Sequence, residues 1–220
     1  MQRLHKFGPF VVPGAHLLLD GAHTLSVHEA EHQSRIDSFC ERNRDLVTNH
    51  EERLFLARHY FPETTGIVLN VGVEAFNSDD HMLLPDPENM RSIDVDPGKA
   101  EFGSPFGHTV GDFLDWRSDE MLGAVVLFGC IGHRNARDPS EPHMEMEEAD
   151  RIVRHAAGLL RTGGSLLLGI ELHWATQATR KRDERSWVKW SRKSAEMRSS
   201  FSEPDCWRGP LNLIIETKRL

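Results

Sequence analysis

Cysteine and long apolar runs are both scarce in this chain. Its 220 residues include three cysteines, and Cys40, Cys130 and Cys206 lie far apart in sequence. An odd, widely spaced set predicts neither a disulfide framework nor a paired-cysteine metal site, and it suits a reducing cytoplasm. No apolar stretch approaches the roughly 20 residues that cross a bilayer. We therefore expect a cytoplasmic protein with no membrane span and no export signal.

Positive charge is scarce as well. Lys and Arg number 26 against 34 Asp and Glu, which gives a formal net charge of −8 at pH 7. General affinity for nucleic acid phosphates rests on concentrated Lys and Arg. A nucleic acid partner is therefore not expected, and the acidic balance favours a small-molecule substrate. The sequence does not indicate an oligomeric state.

One segment is basic, although the chain as a whole is acidic. Residues 180–198 contain eight Lys or Arg and three Asp or Glu, with Trp187 and Trp190 between them. They could form a patch for a phosphate-bearing substrate. The favoured interpretation is an amphipathic helix whose tryptophans pack on a sheet while its charges face water.

Four short apolar runs, each bounded by glycine or charge, predict the fold. They occupy residues 66–72, 91–96, 123–129 and 164–172. Runs that are apolar on both faces, and far enough apart for a crossover helix, are typical of a parallel sheet covered by helices. Two more strands are expected, one within residues 106–113 and one in the last segment, residues 209–220. Ligands of such sheets bind at the carboxyl ends of the strands.

Helical spacing surrounds these runs. It is present in residues 25–60, so residues 1–62 are expected to form an N-terminal helical cap or lid before a domain of residues 63–220. The most regular helical pattern covers residues 144–160, and a glycine-containing turn at residues 161–164 is expected to end it. A basic helix is expected over residues 176–197.

Residues suited to a nucleoside ligand follow the predicted strands. Gly72 would let the backbone pass close to a ligand, because no Cβ intervenes. The Asp94 carboxylate can accept two hydrogen bonds from vicinal ribose hydroxyls. Asp112 can accept one from an exocyclic amine, and Phe113 offers an apolar face to a purine ring.

In chain order, these segments resemble the motifs of the class I S-adenosylmethionine-dependent methyltransferases. The resemblance implies an α/β fold with a Rossmann-like, doubly wound, mostly parallel seven-stranded sheet whose last strand is antiparallel. It implies S-adenosylmethionine as the cofactor and methyl transfer as the activity. The residues that it assigns to the cofactor are Asn70, Gly72, Val73 and Glu74 at the methionine part, Asp94 at the ribose, Asp112 and Phe113 at the adenine, and Gly129 where the methyl group is presented.

The chain departs from the family pattern in its first motif. Two glycines of the family are replaced by Glu74 and Phe76, and the acidic residue before the first glycine is Asn70. A methyltransferase-like scaffold without catalysis is therefore the alternative to an active enzyme.

The residues that follow the run 123–129 bear on the acceptor. His133 could act as the general base for an attacking hydroxyl or amine, or it could simply cap the loop. The sequence there reads FGCIG and lacks the NPPY-type motif with which the family methylates nucleic acid bases. The expected acceptor is a small molecule, such as a sugar or a secondary-metabolite hydroxyl.

A competing motif precedes the predicted sheet. Residues 28–32 read HEAEH, which would place His28 and His32 on one helical face as zinc ligands with Glu29 as the base of a hydrolase. Glu31 adds a charge where such helices usually carry none, and only 27 residues precede the motif. The zinc hydrolase is therefore the less favoured function, and no metal is predicted.

Overall fold

The computed structural model describes residues 5–6, 27–42, 64–73, 80–131, 146–171, 177–208 and 212–220. Its strands are β1 (His5–Lys6), β2 (Val68–Val71), β3 (Met90–Asp94), β4 (His108–Val110), β5 (Leu122–Ile131), β6 (Leu160–Glu171), β7 (Asp205–Arg208) and β8 (Asn212–Lys218). Its α-helices are α1 (Val27–Arg42), α2 (Met146–Leu159), α3 (Gln177–Lys193) and α4 (Ala195–Ser200). Short 3₁₀ helices cover Asp80–Leu83, Pro87–Asn89, Pro97–Phe102 and Phe113–Asp115.

The described strands form one eight-stranded sheet in the order β1-β7-β8-β6-β5-β2-β3-β4. β8 runs antiparallel to both of its neighbours, and the other pairs are parallel. The predicted α/β fold with a mostly parallel sheet and an antiparallel last strand is confirmed. The predicted count of seven strands is one short, because β1 adds a two-residue edge strand beside β7.

The sheet is covered by helices on the face that carries the main core. Side chains of β2, β5 and β6 pack there against the apolar stripe of α2 and against Trp187 and Trp190 of α3. The two indole rings pack edge to face with their centroids 5.2 Å apart. Trp190 Nε1 donates to Asp150 Oδ1 at 2.9 Å. The favoured interpretation of the basic segment as an amphipathic helix is thus confirmed, since its tryptophans are buried in the core.

One buried glycine allows β5 to start close to the preceding chain. Gly123 N donates to Ile67 O at 2.8 Å, and a Cβ on Gly123 would lie 2.0 Å from the carbonyl oxygen of Thr65. No side chain fits at that distance without moving backbone. This contact explains why glycine stands near the start of a central buried strand, where it would otherwise weaken the sheet.

The expected turn after the long helix takes a different form. α2 ends at Leu159 and β6 begins at Leu160, so the segment 161–164 lies inside the strand rather than before it. The pairing with β5 shifts register between Leu160 and Ser165, and Gly163 has a positive φ of 77°. The glycines therefore accommodate an irregularity in a strand, a known use of glycine in sheets.

The N-terminal helix α1 contacts the segment between β2 and β3. α1 packs on the 3₁₀ helix Asp80–Leu83, where His32 Nε2 donates to Leu83 O at 2.8 Å and Ile36 is buried. α1 falls within the predicted cap, and residues 43–63 lie outside the described residues. None of the described helices has both the length and the apolar character needed to cross a membrane.

Candidate cofactor-binding site

The carboxyl ends of β2, β3 and β4 lie side by side. Val71 pairs with Ile93, and Asp94 pairs with Val110. Gly72 N donates to Ile93 O, and Gly111 N donates to Asp94 O, both at 2.9 Å. The structure therefore brings Asn70, Asp94 and Asp112 to one edge of the sheet, because parallel neighbours in register end together.

Gly72 turns the chain away from β2 in a conformation that requires glycine. Its φ is 76°, in the left-handed region. A Cβ at this position would lie 2.5 Å from Cys130 Sγ, and that thiol donates to Val71 O at 3.0 Å. The Cys130 side chain thus packs directly against the bare backbone of Gly72, which leaves no space there for a larger residue.

Asp94 ties the ends of β2 and β3 together. The residue is 8% exposed. Its Oδ2 accepts from Val73 N and its Oδ1 accepts from Asp96 N, each at 2.8 Å. Each carboxylate oxygen has a second lone pair, so both can accept a further hydrogen bond from a ligand. The two backbone N–H groups fix the carboxylate in place before any ligand arrives.

Asp112 and Phe113 follow β4 in a 3₁₀ turn. Asp112 is exposed, and its Oδ1 caps the turn by accepting from Leu114 N at 2.8 Å. Phe113 is 6% exposed and lies in the core, with its ring edge to face against His155 at 4.8 Å. The turn therefore presents the carboxylate outward and directs the aromatic ring inward.

Two apolar side chains that the sequence did not single out are exposed at this edge. Val95, which follows Asp94, is 68% exposed, and Val110, the register partner of Asp94, is 49% exposed. Exposed aliphatic groups beside a carboxylate at a strand end are suited to the face of an aromatic ligand ring. The available signal was a β-branched residue placed between two aspartates at a strand end.

Asn70 and Asp80 form a buried polar pair next to Gly72. Asn70 is 3% exposed and Asp80 is 4% exposed, and Asn70 Nδ2 donates to Asp80 Oδ2 at 3.1 Å. The other amide atom, Asn70 Oδ1, is buried and has no hydrogen-bond partner in the described part of the chain. Sequence reasoning missed Asp80, because no motif relates it to Asn70 and only folding brings the two together.

His155 of α2 packs behind the Phe113 turn and titrates abnormally. Burial lowers the pKa of His155, and nearby Arg117 lowers it further, although backbone hydrogen bonds of Trp116 and Phe113 and the charge of Asp112 oppose these effects. Its Nε2 is buried without a hydrogen-bond partner among the described residues. The folded protein therefore favours the neutral imidazole.

We expect this histidine to make stability depend on pH. The unfolded chain, with a histidine pKa of about 6.5, binds the proton more readily than the folded chain does. Stability present above about pH 6.5 should therefore be lost as the pH falls through the lowered pKa of the folded state. His155→Gln should flatten the dependence, measured as urea unfolding free energies at pH 7.5 and 5.5. Equal pH slopes for both proteins would contradict this assignment.

Several candidates from the sequence lie outside the described residues. Glu74 and His133 are among them, so their predicted roles stay predictions. Gly129 lies in β5, close to its carboxyl end. In the HEAEH motif, the side chains of His28 and Glu29 are not described. His32 uses Nε2 as a donor to a carbonyl, so that nitrogen has no lone pair for a metal.

No described cluster of three or more His, Cys, Asp or Glu residues could hold a metal ion. Within the described ranges, the polar groups at the carboxyl edge are aspartate carboxylates, an amide and backbone N–H groups, a set suited to an organic ligand rich in donors.

Comparison with known proteins identifies the fold. No family model matches the sequence, and no curated protein matches it either. The solved structure of N-methyltransferase NodS from Bradyrhizobium japonicum WM9, in complex with S-adenosyl-L-homocysteine, aligns with a TM-score of 0.56 at 16% identity, over 86% of this chain and 98% of that one. A putative rRNA-methylase from Clostridium thermocellum aligns with a TM-score of 0.54 at 12% identity, over 79% and 97%.

A third structure adds a different substrate. The 1,6-didemethyltoxoflavin-N1-methyltransferase of Burkholderia thailandensis, with S-adenosylhomocysteine bound, aligns with a TM-score of 0.53 at 15% identity, over 90% of this chain and 92% of that one. Identities this low establish the fold and nothing finer. The chain has the Rossmann-like fold of the class I S-adenosylmethionine-dependent methyltransferases.

Proposed function

We propose that this protein is an S-adenosylmethionine-dependent methyltransferase that acts on a small-molecule acceptor such as a sugar or a metabolite hydroxyl. The observation that carries the proposal is the carboxyl edge of the sheet. There, a left-handed glycine lies beside a buried, preorganised carboxylate at the next strand end. The left-handed turn at Gly72 would cradle the cofactor with its bare backbone, while Cys130 Sγ packs against that backbone where a Cβ would lie.

Each part of the cofactor has a candidate partner at this edge. The bare backbone of Gly72 and Val73, with Asn70 and Glu74 beside it in the chain, would hold the methionine part. The Asp94 carboxylate would accept from the ribose hydroxyls with its free lone pairs. Asp112 would accept from the adenine amine, while Val95 and Val110 would cover the ring face; in this arrangement Phe113 supports the turn from the core.

When bound, S-adenosylmethionine supplies a methyl group made electrophilic by its sulfonium. The protein then has to orient the acceptor for in-line attack, exclude water and take up a proton if the acceptor carries one. In this proposal, the methyl group is presented at Gly129 near the end of β5, and His133 just beyond is the general base.

The charge distribution supports a small acceptor over a nucleic acid. The net charge is −8, and the tryptophans of the one basic segment are buried in the core, so they offer no surface on which bases could stack. Glu196, an acidic residue of that segment, forms an ion pair at 2.6 Å with Arg154 of α2. The cytoplasmic location, inferred from the cysteine content, stays a prediction.

Binding calorimetry tests the proposal most directly. We expect S-adenosylhomocysteine to bind the purified chain with a dissociation constant in the micromolar range, corresponding to about −8 kcal/mol, and to raise its melting temperature. Transfer of a labelled methyl group to a panel of hydroxylated small molecules, with bulk RNA as the comparison acceptor, would then identify the substrate class. No heat and no thermal shift at millimolar ligand would leave the scaffold without catalysis as the function.

A further inference from the structure

The buried pair Asn70–Asp80 has an acceptor oxygen that could bind a third group, a hydrogen-bond donor. Asn70 sits near the end of β2 and is buried, yet its Oδ1 finds no hydrogen-bond partner among the described residues. A buried acceptor left without a donor costs free energy, and native proteins seldom tolerate one without a reason. A bound ligand that donates a hydrogen bond at this point is such a reason.

The surroundings indicate where this ligand would lie. Strand alternation places Asn70 and Ser92 on the same face of the sheet, because the two are register partners, and Asp94 follows Ser92 by two residues on that face. Asn70, the Gly72 backbone and the Asp94 carboxylate therefore follow one another along one face toward the carboxyl edge. The unsatisfied oxygen lies at the inner end of the proposed cofactor site.

Asp80 determines the chemistry of that group. The Asn70 amide is neutral, and it donates to the Asp80 carboxylate. Together the two side chains offer acceptor oxygens to a ligand and carry the single negative charge of Asp80. Charged hydrogen bonds of this kind are the strong ones, and they favour a cation over a neutral donor. The cationic donor of S-adenosylmethionine and S-adenosylhomocysteine is the α-ammonium group of the methionine part.

We propose that the pair Asn70–Asp80 binds the α-ammonium group of the cofactor. Asp80 then supplies the carboxylate that the first motif lacks, since that motif has Asn70 in place of an acidic residue. This inference rests on the proposed function. It assigns a binding role to a residue from the 3₁₀ helix Asp80–Leu83, outside every recognised motif segment. It also accounts for the amide at position 70, since a second carboxylate there would repel the first.

Three probes that differ in their amino-acid part test the inference by calorimetry. S-adenosylhomocysteine carries both the ammonium and the carboxylate, decarboxylated S-adenosylhomocysteine retains the ammonium alone, and 5′-methylthioadenosine lacks both. We expect Asp80→Asn to weaken the binding of the first two probes by about 10- to 100-fold, the usual effect of losing a charged hydrogen bond. The affinity for 5′-methylthioadenosine should change less than about twofold.

Two further variants control for folding and for charge. Asp119→Asn makes the same chemical change at an exposed loop position and should leave all three affinities unchanged. The double variant Asn70→Asp with Asp80→Asn exchanges the two groups and retains the buried carboxylate. It should recover most of the affinity for S-adenosylhomocysteine, and it tests the inference even if the single variant does not fold.

The possible outcomes separate this inference from the proposed function. If the unaltered protein binds none of the three probes, the proposed function fails. If it binds them but Asp80→Asn weakens all three equally, or none, Asp80 does not contact the ammonium and the inference is overturned while the function stands. A folded double variant that no longer prefers S-adenosylhomocysteine over 5′-methylthioadenosine would overturn it as well.

Discussion

Replacing Gly72 with alanine should remove cofactor binding and destabilise the fold. The backbone at this residue is left-handed, which costs a residue with a Cβ about 1–3 kcal/mol. The new methyl group would also lie 2.5 Å from Cys130 Sγ, so either the thiol or the turn must move. Because the turn forms the proposed cradle, we expect the affinity for S-adenosylhomocysteine to fall by at least about 100-fold, close to 3 kcal/mol.

Gly163→Ala is the matched control for this substitution. Gly163 has a φ of 77°, almost the value of 76° at Gly72, but a Cβ there would meet no atom within 4 Å. The Gly163→Ala substitution should lower the unfolding free energy through backbone strain alone, and it should leave the ligand affinity unchanged. Adding Cys130→Ala to Gly72→Ala should restore part of the stability by removing the close contact. Normal ligand affinity in Gly72→Ala would disprove the cradle.

Replacing Asp94 with asparagine should weaken cofactor binding by about 10- to 100-fold, or 1–3 kcal/mol. Both carboxylate oxygens accept backbone N–H groups, from Val73 and Asp96. An amide can satisfy only one of them, because its Nδ2 would face the other as a second donor. The variant should therefore also unfold at lower urea concentration, since the link between the ends of β2 and β3 is broken.

Asp96→Asn separates this effect from a general loss of negative charge. The Asp96 side chain is exposed and caps the 3₁₀ helix Pro97–Phe102 by accepting from Gly98 N at 2.8 Å, a role that asparagine performs about equally well. We expect its affinity for S-adenosylhomocysteine to stay within about twofold of the unaltered protein. Similar losses in the two variants would remove the ribose assignment from Asp94.

The elements that could be read from the sequence are those whose pattern is local. β2, β3, β5 and β6 were predicted because a central strand is buried on both faces and reads as a continuous apolar run. β7 was missed because Asp205–Arg208 alternates over only four residues, too few to distinguish from a loop. The turn expected at residues 161–164 was wrong, since the glycines at 163 and 164 lie in an irregular part of β6.

The site divides in the same way. Gly72, Asp94 and Asp112 directly follow predicted strands, so their approach to one edge could be expected from the sequence. Phe113 was expected at the surface, but the 3₁₀ turn after Asp112 directs it into the core against His155, and Val95 and Val110 are the exposed apolar groups instead. A tight turn reverses side-chain direction in a way that composition does not encode.

The amino-acid order thus dictated the class of fold and the polar groups at the strand ends, because hydrophobic periodicity and chain connectivity are local properties. Folding alone decided which groups meet across long gaps: the thiol of Cys130 against Gly72, the Thr65 carbonyl against Gly123, and the Asp80 carboxylate against Asn70. Such contacts depend on how neighbouring strands and turns pack in three dimensions. Each joins residues that are well separated in the chain, and no sequence motif predicts that they are in contact.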